Sequence, residues 1–331
     1  MLFRSVKRKR LKFREILNRK TITVMPGVFS PLYAKLAQQA NFECFFVAGS
    51  QVSAYLYGLP DNGLIGLRDV VDHARHMAAR CDIPIFIDTD TGFGNAVNVH
   101  FTVQEVIRTG VAGLQIEDQE APKKSGTLAG RRCIPIDEAV GKYRAAVAAR
   151  DALDPSFVIC ARCDVLGAEG GSFEEALERC IAYVEKGGVD FVWLNSIETR
   201  DQVREACRKI PAPVLGIWAG HDQSPTIEEF GEMGLRIILY PTMTSNAGLQ
   251  AAWQLLNGLR EKGNAALTEW AQAADSGPWK RPDRRALLNT AEIRAIEDKF
   301  LAGTTKRNYE DTWGHHSTFS KDSRVPKKPG T

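Results

Sequence analysis

The sequence predicts an α/β fold, a (β/α)8 TIM barrel with additional C-terminal helices, and three observations carry that prediction. Eight short apolar runs recur along the chain, at 21–28, 44–49, 84–88, 113–117, 157–162, 191–195, 213–218 and 237–241. Amphipathic segments lie between them, among them 67–80, 136–152, 173–186 and 199–209, the alternation that builds a parallel sheet through crossover helices. No break in this alternation is long enough to separate two domains, and the repeat count speaks against an open doubly wound sheet.

The flanking segments follow from their composition. Residues 1–20 form a basic lead-in segment, MLFRSVKRKRLKFREILNRK. Such a cluster can mark nucleic-acid or anionic-membrane binding, or an organelle-targeting peptide. It holds a single Ser and no clear cleavage pattern, so a solvated lead-in helix is the simpler expectation. The catalytic barrel is assigned to 21–263. Helical patterns continue at 246–262, 265–274 and 284–302, with Gly303 at the expected helix stop, so 264–305 is assigned to C-terminal helices. The polar, charged stretch 306–331 reads as a tail.

Composition narrows the function classes. Of the 331 residues, 44% are hydrophobic and 25% charged, the balance of an ordinary globular protein. The net charge of +3 is too small to imply a polyanionic partner. No basic face carries interleaved aromatics, so no nucleic-acid partner is expected. No apolar run approaches a membrane span, so no membrane partner is expected either. Seven cysteines without paired spacing argue for a reducing, cytoplasmic setting. Cys160 and Cys163 fall within one strand on opposite faces, which excludes them as a metal pair.

The chemistry concentrates in 84–125. An apolar run ends in Asp88 and Asp90, a glycine-bearing turn Thr91-Gly92-Phe93-Gly94 follows, and one βα unit later a second run ends in Glu117 and Asp118. Ligands of parallel α/β sheets bind beyond the carboxyl ends of the strands, where these acids fall. Oxygen donors without soft ligands suit Mg2+ or Mn2+. Converging carboxylates also repel one another unless a cation joins them.

These motifs resemble the isocitrate lyase and phosphoenolpyruvate mutase superfamily. The resemblance runs from about residue 13 to about residue 255 and rests on ordered motifs: Gly58-Leu59-Pro60-Asp61, the acidic stretch above, Ala161-Arg162-Cys163-Asp164 and Leu239-Tyr240-Pro241. It implies Asp88 as the direct metal ligand, with Asp61, Asp90 and Glu117 holding the ion's waters. It further implies that the segment Ala48-Gly49-Ser50 binds a carboxylate through backbone N–H groups, so Gly49 and Ser50 are substrate-binding candidates. Arg162 is a candidate for gripping a substrate carboxylate and stabilising developing negative charge. The family's C-terminal helices are exchanged between the subunits of a tetramer, which implies a homotetramer here.

Two departures from the family pattern concern proton transfer. The lyases of the family carry Lys-(Lys/Arg)-Cys-Gly-His on the loop after the fourth strand, where this chain reads Lys123-Lys124-Ser125-Gly126-Thr127. A serine hydroxyl is a far weaker acid than the thiol it replaces. Lys123 is retained as a catalytic candidate beside Ser125. The lyases also place a glutamate where Asn195 stands, and Asn-x-Thr-Glu where this chain has 216–221, ending in His221. His221 and Cys133 are alternative proton carriers, with a surface histidine and a structural cysteine as the commoner outcomes. Asp118 is expected in a cap or a salt bridge.

The implied function is a Mg-dependent carbon–carbon lyase. It would cleave a 2-hydroxy di- or tricarboxylate, methylisocitrate- or dimethylmalate-like, to a 2-oxo acid such as pyruvate plus a second carboxylate. Cleavage of oxaloacetate by decarboxylation or hydrolysis needs no lid cysteine and is the alternative. Phosphonopyruvate hydrolase or mutase chemistry fits the Asp-Thr-Gly-Phe-Gly-Asn run, although the Lys-x-Phe-Pro-Lys lid motif of that branch is missing. A non-catalytic binding protein is a fourth reading.

Overall fold

Eight parallel strands form one sheet in the order β1-β8-β7-β6-β5-β4-β3-β2. Their ranges are β1 Thr23–Pro26, β2 Phe45–Val47, β3 Ile85–Asp88, β4 Gly113–Glu117, β5 Val158–Cys163, β6 Phe191–Ile197, β7 Val214–Trp218 and β8 Ile237–Tyr240. Each expected run is therefore a strand. The computed structural model describes residues 2–276, 279–280, 282–305 and 307; apart from residue 307, the expected tail at 306–331 lies outside them. Parallel pairing of β1 with β8 brings the two chain-order ends of the sheet together. Between β1 and β2 the ring is joined by a single bridge, Gly27 to Phe46. The barrel is nearly closed.

Helices α1 Leu2–Asn18, α2 Pro31–Gln39, α3 Gly49–Tyr57, α4 Leu67–Ala79, α5 Ala96–Thr109, α6 Ile136–Leu153, α7 Phe173–Glu185, α8 Arg200–Lys209 and α9 Ile227–Glu232 accompany the strands. Their starts are written in the sequence. Ser30, Asn95, Ser172, Thr199 and Thr226 each accept a backbone N–H from the first turn of the helix they precede, relieving donors that otherwise lack partners.

Strand alternation divides the core in two. Outward side chains such as Leu114, Ile116, Ala161, Cys163 and Leu194 pack under the helices. Inward ones, Phe46, Phe86, Cys160, Phe191, Trp193 and Leu239, fill the barrel. Cys160 and Cys163 thus face opposite ways, as period two requires. The inward positions turn polar at the carboxyl ends of the strands, where Asp88, Gln115, Glu117, Arg162 and Asn195 continue the same faces.

Helix α1 closes the other end. Phe13 is fully buried against Phe86 and Phe191, with ring centroids at 5.7 and 6.1 Å. The basic residues of this helix are not simply solvated. Lys9 and Arg10 are 4% and 3% exposed. Lys9 Nζ donates to the carbonyls of Ala78 and Cys81 at 3.0 and 3.1 Å, and Arg10 donates to Val111 O at 3.0 Å and to Asp154 at 2.5 Å. Long basic arms satisfy carbonyls where α4 and α5 end, the groups that helices leave unpaired there. Phe13→Ala is expected to lower unfolding stability by ~3–5 kcal/mol, as large-to-small changes in cores do, a shift that urea denaturation measures.

The chain divides into two compact units, Met1–Ser245 and Asn246–Thr331. Helix α10, Met243–Lys262, begins in the first. The second holds the rest of α10 with α11 Asn264–Ser276, α12 Arg284–Leu287 and α13 Thr290–Phe300. The single helix expected over 284–302 is interrupted, because Asn289 takes a left-handed conformation, φ 52°, and starts a new helix. On α10, Leu249, Trp253 and Leu256 recur at one-face spacing and are exposed.

Candidate active site

Asp88 ends β3 and is nearly buried. Three N–H groups converge on it: Gly49 N at 3.0 Å, Asp90 N at 2.9 Å, and the Gln115 side-chain amide. Gly49 opens α3 directly beside this carboxylate, and a Cβ there would stand 3.1 Å from Asp88 Oδ2 and 3.2 Å from Asp90 Oδ1. Asp90 follows with φ 46°, an uncommon left-handed backbone for an aspartate, which turns its side chain toward the same place. Burial, with Asp88 alongside, pushes the Asp90 carboxyl up to about 6.

Lys123 lies in the middle of the acids. Its side chain is 2% exposed; Nζ pairs with Asp61 and stands 3.1 Å from Asp90 Oδ1. Burial alone would lower its pKa, but Glu117, Asp90, Asp88 and Asp61 outweigh burial and raise it, so the ammonium is held charged.

Glu117, at the end of β4, is fully buried, and burial drives its pKa well above the usual carboxylate range despite Arg162 Nη1 at 3.2 Å. Arg162 stays charged, since it is shared between Glu117 and Asp164. Its guanidinium also lies 4.5 Å over the Trp193 ring, a stabilising cation–π arrangement. Asp164 accepts from Arg162 Nη2 at 3.0 Å, Arg131 Nη1 at 3.1 Å and Asn195 Nδ2 at 2.6 Å.

The loop after β4 covers this cluster. Gln119 clasps it, accepting from Lys124 N and donating to Lys124 O, each at 3.0 Å. A bridge between Gln119 and Cys133 ties the two ends of the loop together. Gly126 O accepts from Asn195 Nδ2 at 3.1 Å. A Cβ at Gly126 would overlap Arg162 Nη2 and come within 2.9 Å of Asn195 Nδ2, so only glycine permits this approach. Ser125 is half-buried on the loop, with Oγ 3.4 Å from Thr127 Oγ1.

The phosphoenolpyruvate phosphomutase family profile matches residues 13–260. The 2-methylisocitrate lyase of Aeropyrum pernix is 38% identical over 256 residues, which cover 76% of this chain and 80% of that one. The chain belongs to the isocitrate lyase/phosphoenolpyruvate mutase superfamily. Within this superfamily, the 2,3-dimethylmalate lyase of Eubacterium barkeri is 35% identical over 294 residues, 88% of this chain and 98% of that one. The solved complex of a phosphonopyruvate hydrolase with oxalate and Mg++ superposes with a TM-score of 0.77 at 28% identity, covering 89% of this chain and 99% of that one.

Of the residues singled out by this superfamily's motifs, Asp61, Asp88, Asp90, Glu117, Lys123 and Arg162 meet around one centre. Gly49 borders it through Asp88. Asn195 turns its amide to Asp164 and the loop, and Ser50 is half-buried on α3. His221 is exposed beyond β7. Asp118 is fully buried in a salt bridge with Arg179 at 3.4 Å and accepts from Tyr183 Oη at 2.6 Å. Cys133 faces Asp118 at 3.5 Å, and burial with that carboxylate raises its thiol pKa. It is a poor proton donor, so Cys133→Ser is expected to keep kcat within about threefold, in line with an isosteric change away from the reacting atoms, as steady-state assays would show. Gln115 and Arg131 were not singled out. Gln115 shares the inward face of Glu117 two residues on, a signal open to period-two reasoning; Arg131 sits in a loop where no periodicity marks it.

The donors suit a hard divalent ion and its waters. Asp90 Oδ1 and Glu117 Oε2 are buried with only their ion pairs to Lys123 and Arg162, and Glu117 Oε1 is buried with no hydrogen-bond donor against it, a state that buried acceptors rarely keep without a further cation or water. Among the described residues no three His, Cys, Asp or Glu side chains close at direct-ligand spacing; the acids gather around the Lys123 ammonium.

Proposed function

We propose that this protein is a Mg2+-dependent (or Mn2+-dependent) carbon–carbon lyase that cleaves a 2-hydroxy di- or tricarboxylate, methylisocitrate- or dimethylmalate-like, to a 2-oxo acid such as pyruvate and a second carboxylate. The observation that carries this reading is the closed assembly of Asp88, Asp90, Glu117, Lys123 and Arg162 beneath the loop, on a chain 38% identical to a 2-methylisocitrate lyase.

Asp88 would hold the ion directly, and Asp61, Asp90 and Glu117 its waters. The bound ion supplies charge stabilisation at the substrate carboxylate and the adjacent oxygen as the bond breaks. Arg162, fixed by Glu117, Asp164 and Trp193, offers a preorganised guanidinium to a substrate carboxylate. At the α3 terminus Gly49 N is already taken by Asp88, which leaves the neighbouring Ser50 to offer its backbone N–H to a second one. Lys123 holds a proton on Nζ beside the site of developing negative charge. The loop, latched by Asn195 to Gly126, excludes water.

One observation favours a second reading. Among the described residues, Ser125 Oγ has Thr127 as its hydrogen-bonding neighbour and no titratable partner, so it is a weak acid for returning a proton to carbon. Oxaloacetate cleavage, whose enolate solvent protonates, fits that local chemistry.

Pyruvate release measured with a coupled dehydrogenase separates these readings. Methylisocitrate, dimethylmalate, oxaloacetate and phosphonopyruvate would be supplied with Mg2+ and with EDTA, for wild type and Ser125→Cys. Hydroxy-acid turnover that EDTA abolishes is the expected result. Turnover of oxaloacetate (followed by its own disappearance) or phosphonopyruvate alone transfers the assignment. Silence under all conditions sinks the lyase reading.

The exposed apolar stripe on α10 supports a homotetramer that exchanges its C-terminal helices, which light scattering would test. Seven free cysteines support a cytoplasmic setting. Among the described residues, no helix is long and apolar enough to cross a membrane.

A further inference from the structure

Arg131 lies outside the motifs that mark this site, yet it is 5% exposed and points into the charge cluster behind it. It is carried at the far end of the covering loop, where its carbonyl accepts from Glu169 N at 3.0 Å. Its guanidinium divides between Asp164 Oδ1, 3.1 Å from Nη1, and Ser196 Oγ, 3.1 Å from Nη2. A Cβ at Gly167 would overlap Nη2, so the backbone leaves room for this side chain.

Asp164 is the hub of the cluster. It is fully buried, and its backbone N–H is fixed by Asp118 Oδ1 at 2.8 Å. Its carboxylate takes the Asn195 amide that latches the loop at Gly126, and it faces the inner edge of Arg162, with Nε 2.9 Å from Oδ2. Without Arg131, Asp164 and Glu117 together would place two buried negative charges on the single Arg162 guanidinium. A guanidinium so neutralised has little attraction left for an anion.

Charge balance points the same way. Five carboxylates, Asp61, Asp88, Asp90, Glu117 and Asp164, face three cations, Lys123, Arg131 and Arg162. With all five ionised, the excess of two negative charges is what one divalent ion neutralises, and a bound ion is what would hold the buried Asp90 and Glu117 in that form. Asp118 stands apart, paired with Arg179. Loss of Arg131 leaves the loaded cradle anionic toward an incoming carboxylate.

We propose that Arg131 is a positioning residue for the anion-gripping side of this site: by sharing Asp164 it keeps the Arg162 guanidinium from being fully neutralised, so that it still attracts a substrate carboxylate, and it keeps Asn195 oriented toward the covering loop. The inference rests on the metal-dependent carboxylate chemistry proposed above.

The test uses oxalate, the small dianion seen with Mg++ in the solved phosphonopyruvate hydrolase complex, titrated calorimetrically into the Mg2+-loaded full chain. Arg131→Gln is expected to weaken oxalate binding about tenfold or more, the order of a lost charge-assisted contact. Arg131→Lys, which keeps the charge without the fork, is expected in between. Arg132→Gln removes a neighbouring charge that is 64% exposed and pairs with Glu120 at 3.4 Å; it is expected to bind oxalate as wild type does. In turnover, Arg131→Gln would raise KM more than it lowers kcat.

Oxalate affinity equal to wild type in Arg131→Gln overturns the proposal, as does an equal loss in Arg132→Gln. If Arg131→Gln fails to fold, unaltered oxalate affinity in Arg131→Lys overturns it, and a weakened one supports it. Failure of wild type to bind oxalate with any divalent ion counts against the metal-dependent reading itself. A crystal structure of Arg131→Gln or Arg131→Lys then decides the relay on its own. Arg162 drawn off Glu117, or the Asn195–Gly126 hydrogen bond lost, supports it, and both contacts left in place overturn it.

Discussion

Asp88→Asn is expected to weaken divalent-ion binding by at least ~100-fold and to cut kcat/KM by ~1000-fold or more, the scale on which loss of a direct ligand and its charge acts. The substitution changes almost no volume, so folding should survive, and far-ultraviolet circular dichroism should match wild type. The effect is chemical. Gly49 N, Asp90 N and the Gln115 amide all donate to this carboxylate. An asparagine amide would turn an N–H2 toward one of those donors while supplying no negative charge to a cation. Mn2+ titration followed by electron paramagnetic resonance measures the binding directly, independent of substrate. Wild-type Mn2+ affinity in Asp88→Asn would remove Asp88 from the metal site and with it the core of the proposed mechanism.

Gly126→Val tests the loop. The glycine's missing Cβ is the space taken by Arg162 Nη2, with Asn195 Nδ2 beside it. A branched side chain there must either lift the loop or push the guanidinium off Glu117, Asp164 and the Trp193 ring. Misplacement of about 1 Å in a positioning group costs on the order of 100-fold in rate, and that loss in kcat/KM is expected here. Gly126 lies on a partly exposed loop rather than in either apolar core. The melting temperature should move by only about 2 °C or less if the loop lifts, the range of a surface change in a chain of this size, and by more if the buried guanidinium is pushed off its two carboxylates. Kinetics unchanged by valine would mean that the loop does not close on Arg162 during turnover.

The strands were legible because burial on both faces makes them short, continuous apolar runs, and 113–117 matches β4 residue for residue. The acids were legible because they end those runs, where a barrel presents its chemistry. Other features depend on partners remote in sequence. Asn289 interrupts a pattern that reads as one continuous helix, because asparagine tolerates the left-handed turn that splits α12 from α13. The basic cluster near the start gave no sign that Lys9 and Arg10 are buried, since their carbonyl partners lie 69 to 101 residues away. Arg131 was illegible for the same reason: its meaning comes from Asp164, 33 residues on and just past the end of β5.

The clamp made by α1 has a consequence for the order in which the protein assembles. This helix precedes every strand of the barrel in the chain, yet the partners of Arg14, the carbonyls of residues 155–157 and the carboxylate of Asp190, lie 141 to 176 residues later. The helix must wait through the synthesis of five strands before Asp190 can lock it against the base of the barrel, and contacts of such long sequence separation form slowly. During that interval Phe13, Ile16 and Leu17, all buried in the finished barrel, lack the closed barrel base that covers them. The density of Lys and Arg on the same helix is then a solubility device for the unfinished chain before it becomes a fastening in the finished one.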